Sequence, residues 1–165
     1  MSKLLLRRAL FVCMVVLAAS AAPAAEHKIH GKVVKVSDGD TIAIRRGGEN
    51  VRIRLFGIDC PERGQPWSAR AKSLTAGLVG NADVTVIVKD TDRYGRTVGD
   101  VVLADGRHLS HVLLRAGLAW YYRHYANDPA LEKLEDDARA ARRGLWSEPH
   151  PLAPWKFRSD RRAAA

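Results

Sequence analysis

The sequence predicts an α+β fold, mainly β: a five-stranded barrel with three helices packed outside it. Three observations predict it. Val and Ile recur in short alternating runs before residue 56 and again between residues 84 and 103. A Gly-Gly pair joins two of those runs. A 3,4,3,4 apolar stripe marks a late helix, and the two periods, 2 and 3.6, identify strands and helices respectively.

Val33, Val34 and Val36 give the first strand, Ile42 and Ile44 the second, and Val51, Ile53 and Leu55 the third. Arg46-Gly47-Gly48-Glu49 turns the second into the third as a hairpin. Turn formers fill Gly57 to Pro66, and a helix follows over 67–79 with Trp67, Ala71, Leu74 and Leu78 on one face, stopped by Gly80-Asn81. Val84, Val86 and Val88 alternate as a fourth strand, and Val98 to Leu103 is a fifth, closed by Asp105-Gly106. Ser110 is placed to cap a short helix that ends at Gly117. The last helix has Asp128 as N-cap and Pro129 at its first position, with Leu131, Leu134, Ala138, Ala141 and Leu145 as its buried stripe and Gly144 following Arg142 and Arg143 near its end. Five short strands with helices between them match an oligonucleotide/oligosaccharide-binding (OB-fold) barrel, which presents one face to its ligand.

The ends are read differently. Residues 1–24 carry Lys3, Arg7 and Arg8 and no acid, then an apolar run from Ala9 to Ala19, then Ala22-Pro23-Ala24. A cationic start, a short apolar core and a small-x-small site are the marks of a secretory signal peptide. The run is shorter than the ~20 residues a transmembrane helix needs. The expected organisation is a signal peptide over 1–24, one domain over 25–148 and a basic tail over 149–165, laid over the surface or disordered. A secreted or periplasmic monomer follows, with no stable membrane association once the signal is cut. Of the two cysteines, Cys13 lies in the signal, so Cys60 stands alone and no disulfide is expected. A hydrophobic content of 47% excludes disorder, and the charge of +9, from 27 Lys+Arg against 18 Asp+Glu, points to a polyanion partner without choosing among nucleic acid, lipid and polysaccharide.

Three segments hold the residue types of a reactive site. Asp38-Gly39-Asp40-Thr41 sits where the first strand meets the hairpin; alone it is a turn, and Ile42 and Ala43 exclude an EF-hand. Arg54 through Glu62 puts Arg54, Asp59 and Glu62 at a strand end and in the loop behind it. A hairpin turning at Gly47-Gly48 sets Thr41 opposite Arg54, so Asp40 and Asp59 flank one end of the sheet. Two carboxylates with no His or Cys cluster suit a hard cation held by oxygen and water. Asp92-Arg93-Tyr94-Gly95-Arg96 joins the fourth and fifth strands. Arg54 and Arg96 have the planar fork that grips phosphate oxygens in pairs.

Together these three blocks resemble the thermonuclease (staphylococcal nuclease-like) family, over about Gly31 to Trp146, and the tail resembles that of its secreted bacterial branch. The resemblance implies a calcium-dependent endonuclease for DNA and RNA, with single strands preferred. It implies Asp40, Asp59 and the carbonyl of Cys60 as calcium ligands and Asp38 behind them. It implies Glu62 as the residue that orients or deprotonates water, and Arg54 and Arg96 on phosphate. Water would attack in line and the P–O5′ bond would break, leaving 3′-phosphates. Cys60 stands where the staphylococcal protein has Thr, a tolerable change if only the carbonyl meets the ion. Of the aromatic group Trp120, Tyr121, Tyr122 and Tyr125, the tyrosines Tyr125 and Tyr122 are the candidates for holding a base, and Trp120 is expected in the core. The alternative is a non-catalytic OB-fold module that binds nucleic acid or a partner protein. His108 and His111, three apart, lack a third ligand and are read as structural.

Overall fold

A computed structural model describes residues 26–164; the predicted signal peptide lies outside them. β1 (Lys28–Val36), β2 (Thr41–Arg46), β3 (Glu49–Leu55), β5 (Asp83–Thr91) and β6 (Thr97–Val102) close into a barrel in the order β1-β2-β3-β6-β5. Every pairing is antiparallel except β3 with β6. The barrel needs no exposed edge, since β1 bonds to both β2 and β5. Ile42, Ile44, Ile53, Val86 and Val101 are fully buried and fill it. A separate two-stranded ladder pairs β4 (Ile58–Asp59) with β7 (Trp120–Tyr121).

The hairpin has the predicted register. Thr41 pairs with Arg54 and Arg46 with Glu49, and Gly47 and Gly48 take φ of 56° and 88°, which a side chain would resist. Gly57 (φ 73°) then turns β3 into β4, and a Cβ there would meet Leu131 at 2.5 Å.

The helices depart from expectation in instructive ways. α1 (Ser68–Val79) begins one residue late, because Trp67 takes a left-handed conformation (φ 69°) and sends its indole N–H to Glu148. Its fully buried face is Ala71, Thr75 and Val79, with Leu74 and Leu78 half-buried beside them. Thr75 hides its hydroxyl by donating it to the Gly39 carbonyl at 2.6 Å. α2 (Leu109–Arg115) is not capped by Ser110, which is buried inside it; His108 is the N-cap residue and makes no side-chain cap. α2 packs against α1, α3 (Pro129–Ala140) and β6. α3 has the predicted start, with Asp128 accepting from the Ala130 N–H at 2.9 Å and Pro129 in the first turn. It ends four residues before Gly144, which opens a 3-10 turn over Gly144–Ser147, so Ala141 is exposed rather than part of the stripe. Its hidden member is Glu135, wholly buried yet bonded to the Tyr121 N–H and to Arg123 and Arg139.

The largest departure is the tail. Three helices are expected and the described residues contain four: α4 (Pro154–Ala163) lies within residues 149–165, with a buried Pro154 in its first turn. Pro at the start of a helix is preorganised for it, and Lys156 pairs with Asp160 one turn on.

Thr75 ties α1 to the turn that carries Asp40. Thr75→Val keeps the shape and orphans the Gly39 carbonyl, which should cost about 1–3 kcal/mol in urea unfolding.

Candidate active site

The first two motif blocks converge at one end of the barrel. Asp40 precedes β2 and Arg54 lies near the end of β3; the Leu55 N–H donates to the Asp40 carbonyl at 2.9 Å and extends the ladder by one bond. β4 brings Asp59 back over that end, fixed by its pairing with Trp120. Asp40 and Asp59 are 6% and 1% exposed, which no carboxylate tolerates without partners.

Arg54 is the common partner. One η nitrogen pairs with Asp40 and the other donates to Asp59 at 2.6 Å. Asp40 also accepts from the Cys60 N–H at 2.6 Å and from the Thr41 hydroxyl at 3.3 Å. Burial pushes the Asp40 carboxyl up, but Arg54 and the Cys60 N–H outweigh it and hold the group below the usual 3.8. Asp38 sits behind, accepting from the Asp40 N–H at 3.2 Å. Gly39 is required between them: a Cβ there would stand 2.8 Å from both Ala71 and the Cys60 sulfur. Cys60 is buried, and burial raises its thiol well above the ordinary value, which leaves it inert.

Glu62 lies on the loop after β4, half-buried, and its backbone N–H donates to Gln65. Its carboxylate meets a residue that sequence reasoning missed. Arg158 on α4 places Nη1 2.5 Å from Glu62 and Nη2 2.8 Å from Asp59. No periodicity ties residue 158 to residues 59 and 62; the one signal was a basic tail.

Arg96 is not joined to this cluster. Its Nε donates to Asp92 at 2.6 Å and its guanidinium lies 5.6 Å from the Tyr94 ring. It stands two residues before Val98, the partner of Arg54 across β3 and β6, so it belongs to the same end of the barrel. Asp92 organises this loop by also accepting from the backbone N–H groups of Tyr94 and Arg96.

The aromatic segment forms one wall. Tyr121 is buried and donates its hydroxyl to the Ala126 carbonyl. Tyr122 is half-buried, with the Trp155 indole of α4 stacked on its ring at 5.2 Å and 12°. Tyr125 is 59% exposed and packs beside Tyr122 at 5.0 Å. Trp120 is half-buried between Trp146 and Trp155 rather than in the core. His108 and His111 stack on each other, and His108 bonds Asp100 away from the acids.

The acids fit a hard cation. Their donors are carboxylate oxygens, and guanidinium groups already sit on them as monovalent cations. Among the described residues no three His, Cys, Asp or Glu side chains could hold an ion by themselves, so a shell built here takes its remaining members from backbone oxygen, water or a phosphate. No described helix is long and apolar enough to cross a membrane.

Removing the shared partner exposes the cost of this burial. Arg54→Met should destabilise the fold by about 3–5 kcal/mol in urea, because it strands buried charge. The pH dependence has a definite sign. A carboxylate held below 3.8 in the fold contributes stability above 3.8 and loses it as pH falls toward the folded value. The stability gap between the wild type and Asp40→Asn should therefore be widest at neutral pH and shrink below 3.8.

The model of the staphylococcal nuclease homologue family matches residues 52–148. A protein of Escherichia coli O157:H7 described as an uncharacterized endonuclease is 44% identical over 130 residues, covering 79% of this chain and 85% of that one. Protein ParB of Escherichia coli is 41% identical over 143 residues, 81% of each chain. A micrococcal nuclease of Shigella flexneri is 39% identical over 139 residues, covering 78% of this chain and 79% of its own.

Proposed function

This chain is a nuclease that belongs to the staphylococcal nuclease homologue family, and we propose that it is an exported, calcium-dependent endonuclease for DNA and RNA. The observation that carries the reading is the gathering of Asp40, Asp59 and Glu62 around two guanidinium groups at one end of the barrel. Export rests on the sequence of residues 1–24 alone.

Asp40 and Asp59, with the Cys60 carbonyl, hold the cation; Asp38 fixes the backbone behind Asp40. When bound, calcium neutralises the carboxylates and polarises a phosphoryl oxygen. Arg54, held between Asp40 and Asp59, would be placed to donate to a phosphate oxygen and stabilise the charge that develops as water attacks. Arg96, turned from Asp92, grips the same phosphate from the β5–β6 connection. Glu62 faces the water and orients it or takes its proton. The attack is in line, the P–O5′ bond breaks, and a 3′-phosphate remains. Tyr125, exposed at the rim, stacks a base, with Tyr122 behind it. A base must leave its duplex partner to reach them, so single strands are the better substrates.

Calcium suits this site better than magnesium. The family resemblance is what favours it: two carboxylates, a carbonyl, water and a phosphate are a ligand set either ion could take, and calcium's larger, flexible shell would place the looser demand on their geometry.

Plain DNA with calcium, then with EGTA, tests the reading. Cleavage should require calcium, and magnesium at equal concentration should support much less. Equal rates with both, or activity in EGTA, would overturn the assignment. Glu62→Gln should lower the rate about 10²–10⁴-fold with little change in calcium affinity; a parallel loss of calcium binding would move Glu62 into the metal shell. Arg96→Ala should remove most turnover while the melting curve stays in place.

A further inference from the structure

We propose that Arg158 is a third phosphate-gripping guanidinium of this active site, supplied by α4 from outside the segment that matches the family model. The inference rests on the nuclease reading for its substrate and on separate observations for its geometry.

Arg158 repeats on the outer side of the acids what Arg54 does on the inner side. Arg54 bridges Asp40 and Asp59, and Arg158 bridges Asp59 and Glu62. The two guanidiniums take opposite oxygens of the Asp59 carboxylate as their closest contacts, Oδ1 for Arg54 at 2.6 Å and Oδ2 for Arg158 at 2.8 Å. Nη1 of Arg158 also reaches Oδ1 at 3.3 Å. They differ in access: the Arg54 side chain is 15% exposed and that of Arg158 is 35%. Arg158 is therefore the guanidinium on the rim, and a polyanion arriving from solvent meets it first.

The helix that carries Arg158 is seated without it. Trp155 stacks on Tyr122 and packs edge-on to Trp120 at 5.5 Å. The buried side chain of Gln65 donates to the Leu152 carbonyl at 2.9 Å, tying the segment before α4 to the loop that carries Glu62. Pro154 is buried. These apolar and neutral contacts fix the helix, so the ion pairs aim the Arg158 head rather than hold α4 in place. Loading Asp59 with a divalent cation frees the guanidinium from that carboxylate, and its planar fork matches the paired oxygens of a phosphate. Glu62 keeps it next to the reacting centre.

Isothermal titration of a nucleoside 3′,5′-bisphosphate in calcium tests this on the full chain, since that probe has phosphate groups but no internucleotide bond to cut. Arg158→Gln should weaken its binding about 10- to 100-fold, the range for losing a hydrogen bond between charged groups. Arg158→Lys should recover part of the loss, because it restores the charge without the fork. The kcat/KM on single-stranded DNA should fall in step, with the chain still folded in calcium, where the cation takes over from Arg158 in compensating the buried Asp59 carboxylate. A lock that keeps the cation out has the opposite signature: tighter calcium binding and a rate at or above wild type in Arg158→Gln. That result, bisphosphate affinity within about twofold of wild type in both variants, or a wild type that does not bind the probe, would overturn the proposal. A wild type that holds the probe through Arg158 yet cuts no DNA would overturn the calcium-nuclease reading and leave this assignment standing.

Discussion

The fold is organised around the compensation of two carboxylates that have almost no access to water. An isolated ionised acid cannot be buried at acceptable cost, so Asp40 depends on Arg54, and Asp59 on Arg54 together with Arg158. That requirement sets the register of the hairpin, because Arg54 must stand across from Thr41. It also sets the turn at Gly57, which folds β4 back over the end of the barrel. The Cys60 N–H and the Thr41 hydroxyl complete Asp40, and Thr75 secures the Gly39 carbonyl beneath it. Replacing a buried ion-pair cluster by well-packed apolar residues is often neutral or stabilising, so stability alone does not call for one here. The surrounding hydrogen bonds keep the acids aimed, and their use as the ligands of the proposed site would explain why they are there.

The barrel was legible because its signals are local and periodic. Alternating Val and Ile identify strands, and a two-glycine turn counts off the register without any tertiary knowledge, which is how Thr41 and Arg54 could be set face to face. Asp128 and Pro129 start α3 for equally local reasons. The misreadings share another cause. Ser110 and Ala141 fit a helical pattern but were assigned by chemistry that tertiary packing overrode: Ser110 lies inside α2 and Ala141 beyond the end of α3. Glu135 reads as a surface acid, and only the approach of Arg123, Arg139 and the Tyr121 N–H makes its burial affordable.

Arg158 was illegible for a stronger reason. Its partners lie 99 and 96 residues away, and nothing in the spacing of the tail reports them. The tail around it, with three prolines before it and Lys156, Arg161 and Arg162 beside it, has the composition of a solvated tail. It folds because Trp155 and Pro154 find a surface already prepared by Tyr122, Trp120 and the loop at Gln65. Helix propensity alone would not keep ten residues folded. The first two motif blocks thus identify the inner half of the site, and the outer wall comes from a segment whose order depends on docking.

Charge at the site also orders the events of binding. Three carboxylates, Asp40, Asp59 and Glu62, meet two guanidiniums, so the directly paired groups leave a net negative charge. A phosphodiester approaching that arrangement is repelled at short range, whatever the basic surface does at long range. A divalent cation reverses the sign, and the same groups then attract one phosphate. The attraction gains from the low local dielectric around buried Asp40 and Asp59, where charge interactions are weakly screened. Cation before substrate is the sequence that this balance favours. It would also give the arginines a reason to begin on carboxylates: on the proposed reading, each is held in place by an acid that the cation would take over.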